Sequence, residues 1–96
     1  MILETAKIKV AVDNRARFEA ALAEAVEIVL SKSPGFIKFE VLTGIEETNT
    51  YLLHIYWNTL EDHIIGFRES ELFTQWRGSI GPYFMAAPDV THWQIN

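Results

Sequence analysis

The order of periodic segments along this chain predicts an α+β fold of ferredoxin-like type, β-α-β-β-α-β, with an antiparallel sheet, helices on one face and the second helix split in two. Three observations carry this. Alternating polar and apolar residues open the chain, a helical apolar period follows and ends at Pro34-Gly35, and two β-rich runs then flank a short polar turn. Ninety-six residues leave room for one compact domain, 1–96, and no linker, low-complexity tract or repeat interrupts it.

In the first strand Ile2, Ala6, Ile8 and Val10 share one parity, and Thr5, Lys7 and Lys9 take the other. Glu4 falls on the apolar parity, where a carboxylate is costly unless paired. A histidine partner would satisfy it; a strand that starts later and leaves Glu4 exposed is the cheaper explanation. Asp13 offers an N-cap for a helix whose Phe18, Leu22, Ala25, Val26, Val29 and Leu30 recur at helical spacing. Phe36–Thr43 and Thr50–Trp57 read as a hairpin closed by a turn at 44–49. In its second strand Tyr51, Leu53, Ile55 and Trp57 form one face and Leu52, His54 and Tyr56 the other; both look largely apolar, so both are expected to be covered. Asn58, with Glu61 three residues on, starts a short helix that presents Leu60, His63, Ile64 and Phe67 on one side. Ser70 caps its continuation, which carries Phe73, Trp76, Arg77 and Ile80 and stops at Gly81-Pro82. Residues 88–96 form the last strand, with Val90, His92 and Gln94 opposite Thr91, Trp93 and Ile95.

Composition narrows the function classes. The chain is 49% hydrophobic and holds six Phe, three Trp and three Tyr, more bulky apolar surface than one small core needs, so a partner is expected to cover part of it. Thirteen acidic residues outnumber eight scattered basic ones, for a net charge of −5, which excludes a phosphate-tracking nucleic-acid surface. Without cysteine there is no disulfide, thiolate metal site or thiol nucleophile. No apolar run approaches a membrane span and the first residues lack a signal-peptide layout, so a cytoplasmic protein is expected. The spacing of His54, His63 and His92 matches no metal-ligand motif, and the glycines form no phosphate loop.

Gly35-Phe36, the aromatic-ended run 51–57, Leu60-Glu61-Asp62-His63, Gly66-Phe67-Arg68, Ser70-x-x-Phe73-x-x-Trp76 and Pro88-Asp89-Val90-Thr91-His92-Trp93 together resemble the antibiotic biosynthesis monooxygenase family over nearly the whole chain. The resemblance implies a dimeric α/β barrel in which two such sheets pack together and each subunit holds a pocket between sheet and helices. It also implies a range of activities: cofactor-free quinol and anthrone oxygenases, haem-degrading enzymes, an autoinducer-processing protein and dimers with no established substrate. Haem-degrading relatives place a histidine ligand near the position of Trp76 and Arg77, and no histidine lies between His63 and His92, so that branch is disfavoured.

The expected function is a monooxygenase that needs no cofactor and acts on an electron-rich aromatic such as a quinol or anthrone. Once deprotonated, such a substrate reduces oxygen itself, so the protein supplies a base, a dry pocket and hydrogen-bond donors. His63 is the candidate base, because imidazole titrates near neutrality and this one shares a face with Leu60, Ile64 and Phe67; a structural hydrogen bond at the helix–sheet junction is the alternative. Trp57, Phe67 and Trp76 are candidate substrate contacts, with indole N–H donors, although large aromatics at such spacing are usually core. His92 joins them on the parity of Val90, or makes a polar contact at an interface. Arg77 offers an anion contact or a surface ion pair with Glu69 or Glu71. His54 is expected on the opposite face, and Tyr83 and Met85 are candidates for the pocket mouth or for packing. Two other functions fit the same residues: a non-catalytic dimeric domain that binds a small molecule or another protein, and an isomerase of a small carbonyl metabolite. The expected partners are a second copy of the chain, a small aromatic or apolar metabolite and O2, with neither nucleic acid nor membrane.

Overall fold

The computed structural model describes every residue, Met1–Asn96, and has the expected element order. Strand β1 is Ile2–Lys9, helix α1 Arg15–Ile28, β2 Phe36–Thr43, β3 Thr50–Trp57, then a π-helical turn at Asp62–Phe67, helix α2 Glu71–Ile80 and strand β4 Asp89–Gln94. The sheet runs β2-β3-β1-β4 with every neighbour antiparallel. Each helical segment therefore joins two strands separated by one other, which places α1 and α2 on the same face. No helix is long and apolar enough to cross a membrane.

Strand parity sets the core. Ile2, Ala6 and Ile8 of β1 and Tyr51, Leu53, Ile55 and Trp57 of β3 point under the helices, where Phe18, Leu22 and Ala25 of α1 and Trp76 and Ile80 of α2 cover them. All 16 buried apolar residues form one cluster, so both helices share a single core with the sheet.

Local chemistry shifts several boundaries. Asp13 is drawn into a 3₁₀ turn at Val12–Asn14, so Asn14 rather than Asp13 stands at the N-cap of α1; its side chain accepts from Arg17 Nη2 at 2.6 Å. The helix also stops short of Pro34-Gly35, passing into a second 3₁₀ turn at Leu30–Lys32. Gly35 has φ +86°, a conformation suited to glycine, and a Cβ there would fall inside the Asp62 side chain. The capping pair expected at Asn58 and Glu61 sits one residue later: Thr59 N–H donates to Asp62 Oδ2 at 3.2 Å, and Asp62 N–H donates to Thr59 Oγ1 at 3.1 Å. Beyond it the chain winds wide. Arg68 N–H donates five residues back to the His63 carbonyl at 2.9 Å, the mark of a π turn. The wider turn keeps His63 and Phe67 buried but rolls Leu60 out to 36% exposure. Ser70 stands at the N-cap of α2, yet its hydroxyl donates back to the Phe67 carbonyl at 2.7 Å, tying the two helical pieces together.

The sheet's two faces differ. The one away from the helices carries Leu52, His54 and Tyr56 as expected, but it is mixed rather than largely apolar. Thr5 and Thr91 hydroxyls meet at 2.6 Å, Tyr56 donates to Glu40 Oε1 at 3.1 Å, and Lys38 Nζ lies 4.5 Å from the Tyr56 ring centroid. Trp93 and Leu42 are its most open large apolar residues, at 57% and 45% exposure.

Candidate active site

Strand register builds the site. On the helix face Glu4 of β1 lies directly between His92 of β4 and Ile55 of β3, with Trp57 two residues beyond Ile55. The π turn lowers His63 onto these side chains. Trp57 Nε1–H donates to Glu4 Oε1 at 3.0 Å, His63 Nε2 lies 3.2 Å from the same oxygen, and His63 Nδ1 lies 2.8 Å from His92 Nε2. The Trp57 and His63 rings stack at 5.4 Å and 21°, and Phe67 braces Trp57 at 5.5 Å. Glu4 and His63 are buried, at 6% and 2% exposure, whereas His92 is exposed on edge strand β4. The cheaper explanation for Glu4, exposure near the terminus, is therefore overturned: its carboxyl is buried because Trp57 and His63 satisfy it.

Burial decides the charge of this row. It pushes the Glu4 carboxyl up to about 7, outweighing the Trp57 hydrogen bond and the Arg68 charge, which both act downward. It pushes the His63 imidazole down to about 3, with Arg68 and His92 adding in the same direction. His92 is lowered by burial and then by Arg68. An ion pair and a neutral pair of Glu4 and His63 hold the same number of protons and differ only by a transfer across 3.2 Å. Two charges stripped of water cost more than two neutral groups, so the neutral arrangement holds between about pH 3 and 7.

The same contacts define a proton path. When Glu4 is a carboxylate, His63 Nε2–H donates to it, His63 Nδ1 accepts from His92 Nε2–H, and His92 Nδ1 keeps a free lone pair. When Glu4 is protonated the donors reverse along the row. Both nitrogens of His63 are thus occupied, and the oxygen left over is Glu4 Oε2, which accepts no hydrogen bond from the protein. A cavity of about 400 Å³ lies beside it, between α2 and the sheet. Ile55, Phe73, Trp76, Ile80, Phe84 and Val90 form its apolar walls, and Glu4, His63, Arg68 and Arg77 are its polar groups. That volume suits a small ligand. Clefts of similar size beside the hairpin turn and between α1 and β2 contain no such row.

Of the residues singled out from sequence, Glu4, His63, Trp76 and Arg77 border this cavity. Trp57 and Phe67 stand behind His63, fully packed, with the indole N–H already given to Glu4. His92 forms the solvent end of the row. Arg77 makes no ion pair with Glu69 or Glu71 and instead lies 5.9 Å from the Phe73 ring centroid. Tyr83 packs on Phe18, Met85 is exposed, and Phe84 between them reaches the cavity. Arg68 is the polar wall residue that sequence reasoning passed over; nothing in the periodicity marks it. Glu4 was marked by its parity.

This sheet order and the broken second helix, with a partly open cavity between helix and sheet, define a ferredoxin-like α+β domain. The antibiotic biosynthesis monooxygenase family model matches residues 1–79, and the chain belongs to that family. It is 34% identical over 94 residues to the uncharacterised protein YczJ of Bacillus subtilis strain 168, covering 98% of each chain. A crystal structure of a candidate antibiotic biosynthesis monooxygenase from Bordetella bronchiseptica is 33% identical and superposes with a TM-score of 0.92, over 99% of this chain and 96% of that one. SnoaB, a cofactor-independent oxygenase from Streptomyces nogalater, superposes with a TM-score of 0.81 over 99% of this chain and 92% of its own; at 14% identity this shows a shared fold.

Proposed function

We propose that this protein is a cofactor-independent monooxygenase of electron-rich aromatic substrates, quinol-like or anthrone-like, and that Glu4, His63 and His92 act together as its base. The observation that carries this reading is the Glu4–His63–His92 row, buried at Glu4 and His63 and open to solvent at His92, with Glu4 and His63 at the wall of an apolar cavity and one carboxylate oxygen left free. A base poised near neutrality is what removal of a phenolic or anthrone proton requires.

For an anthrone the steps balance. Glu4 Oε2 takes one proton from the methylene carbon, and the carbanion passes an electron to O2. Radical and superoxide combine to a peroxide on that carbon, and Glu4 returns its proton to the outer oxygen. Cleavage of the O–O bond expels hydroxide, which leaves as water with the second methylene proton, and a carbonyl remains. All four electrons that reduce O2 come from the substrate. His63 orients the carboxylate and His92 exchanges its proton with solvent between turnovers. Phe73 and Trp76 hold the ring.

Oxygen electrode measurements on a panel of anthrones and hydroquinones test this. One O2 consumed per anthrone, with a rate that rises through about pH 7 as Glu4 ionises, is the expected result. Uptake no faster than the uncatalysed reaction across the panel overturns it; deuterium exchange into a carbonyl substrate without uptake would favour the isomerase. The working unit is a homodimer, with a second copy on the open sheet face over Leu42, Leu52 and Trp93. Sedimentation at micromolar concentration is expected to give twice 11.0 kDa, and a monomer removes this part.

A further inference from the structure

The cavity's charges do not cancel. Glu4 and His63 satisfy each other, but the two guanidinium groups at the wall, Arg68 and Arg77, form no ion pair or hydrogen bond with any protein group; the chain's two ion pairs join Lys9 to Glu47 and His63 to Glu4. The two arginines also stand apart. Arg68 acts electrostatically on Glu4, His63 and His92, whereas Arg77 acts on none of them. Arg77 instead borders both the cavity and the outer groove formed by Gly81, Pro82 and Ala86, which places it at the mouth. Phe73 and Trp76 lie on the same helix beside it, an apolar platform with a cation at one edge.

A permanently charged guanidinium against an apolar wall attracts an anion, and its planar fork matches the two oxygens of a carboxylate. A phosphate site would want converging backbone N–H groups or a second cation, and the mouth has only Arg77. We propose that the ligand of this cavity is a hydroxylated aromatic carboxylate, its carboxylate held by Arg77 at the mouth, its ring on Phe73 and Trp76, and its hydroxyl directed at Glu4. This rests on the reading of the cavity as the substrate site and names the substrate class within it.

Calorimetric titration with 6-hydroxy-2-naphthoate and with its neutral methyl ester tests the assignment, because the two differ only at the carboxylate. The acid is expected to bind at least about tenfold tighter than the ester, the size of one charge-assisted contact. Arg77→Gln, at an exposed position, is expected to remove that preference and leave ester binding within about twofold. A smaller preference in the wild type overturns the proposal, as does a preference that survives Arg77→Gln or is lost instead in Arg68→Gln. Tight acid binding without oxygen uptake would sink the oxygenase reading alone, and oxygen uptake with no preference for the acid would sink this one alone.

Discussion

Strand β3 donates to a carboxylate at each of its ends, and the two carboxylates live differently. At one end Trp57 Nε1–H reaches Glu4 at 3.0 Å; at the other the Tyr51 hydroxyl reaches Glu19 at 2.5 Å. Glu19 sits on the exposed side of α1, with Arg15 Nε 3.3 Å from the same hydroxyl, and its carboxylate stands open to solvent. Glu4 lies inside the sheet–helix layer, where its contacts are an indole and an imidazole. The same kind of hydrogen bond therefore meets one carboxylate at the surface and the other in a buried site that pushes it up to about 7. Hydration, more than the donor, sets the chemistry.

The largest expected contrast is catalytic. Glu4→Gln should lower the rate of oxygen uptake by about 10²- to 10⁴-fold, the usual contribution of a general base, while Glu19→Gln should change it by less than about twofold. Equal losses would erase the distinction. Next comes stability. Trp57→Phe strands a buried carboxyl without its donor and should cost about 1–3 kcal/mol in urea unfolding, whereas Tyr51→Phe leaves Glu19 free to bind water and should cost about 1 kcal/mol or less.

The smallest effect is one of slope. Glu4, raised from 4.5 to about 7, stabilises the fold below 4.5, and that contribution is lost as pH rises through 7. His63, lowered from 6.5 to about 3, acts oppositely: its contribution is present above 6.5 and lost as pH falls toward 3. Between 4.5 and 6.5 the two cancel, so the pair gives the wild type no slope there. Removing one partner uncovers the other. Glu4→Gln should make stability rise with pH across this window by about 1 kcal/mol per unit, and His63→Gln should make it fall by a similar amount. Denaturant midpoints at several pH values measure both.

Much of this architecture was legible because it rests on periodicity. The alternation in β1 and β3 and the helical spacing in α1 placed nearly every core residue, and His63 faced inward as its spacing required. What sequence did not carry was register. Glu4 and His92 face each other only because β1 and β4 pair in one alignment of several that would preserve parity. The π turn was equally hidden. A 3.6-residue period groups Leu60 with His63, but the wider winding separates them, and that winding depends on how the chain seats on the sheet rather than on local propensity. Arg77 departs from the expected pairing: its guanidinium lies 5.9 Å from the Phe73 ring centroid and forms an ion pair with neither Glu69 nor Glu71.

Gly35 bears on the chemistry although it has no side chain. The loop leaving α1 passes under the turn that carries His63, and the Asp62 carboxyl rests where a Cβ would be. Asn58 N–H donates to the Gly35 carbonyl at 2.8 Å, so the same residue also anchors the approach to that turn. Gly35 thus leaves room for the side chain of Asp62, the residue that precedes His63 in the turn. One added methyl group would collide with that side chain and force it to shift. The seat of the turn that holds the imidazole is shaped from beneath, by a position that takes no part in the chemistry.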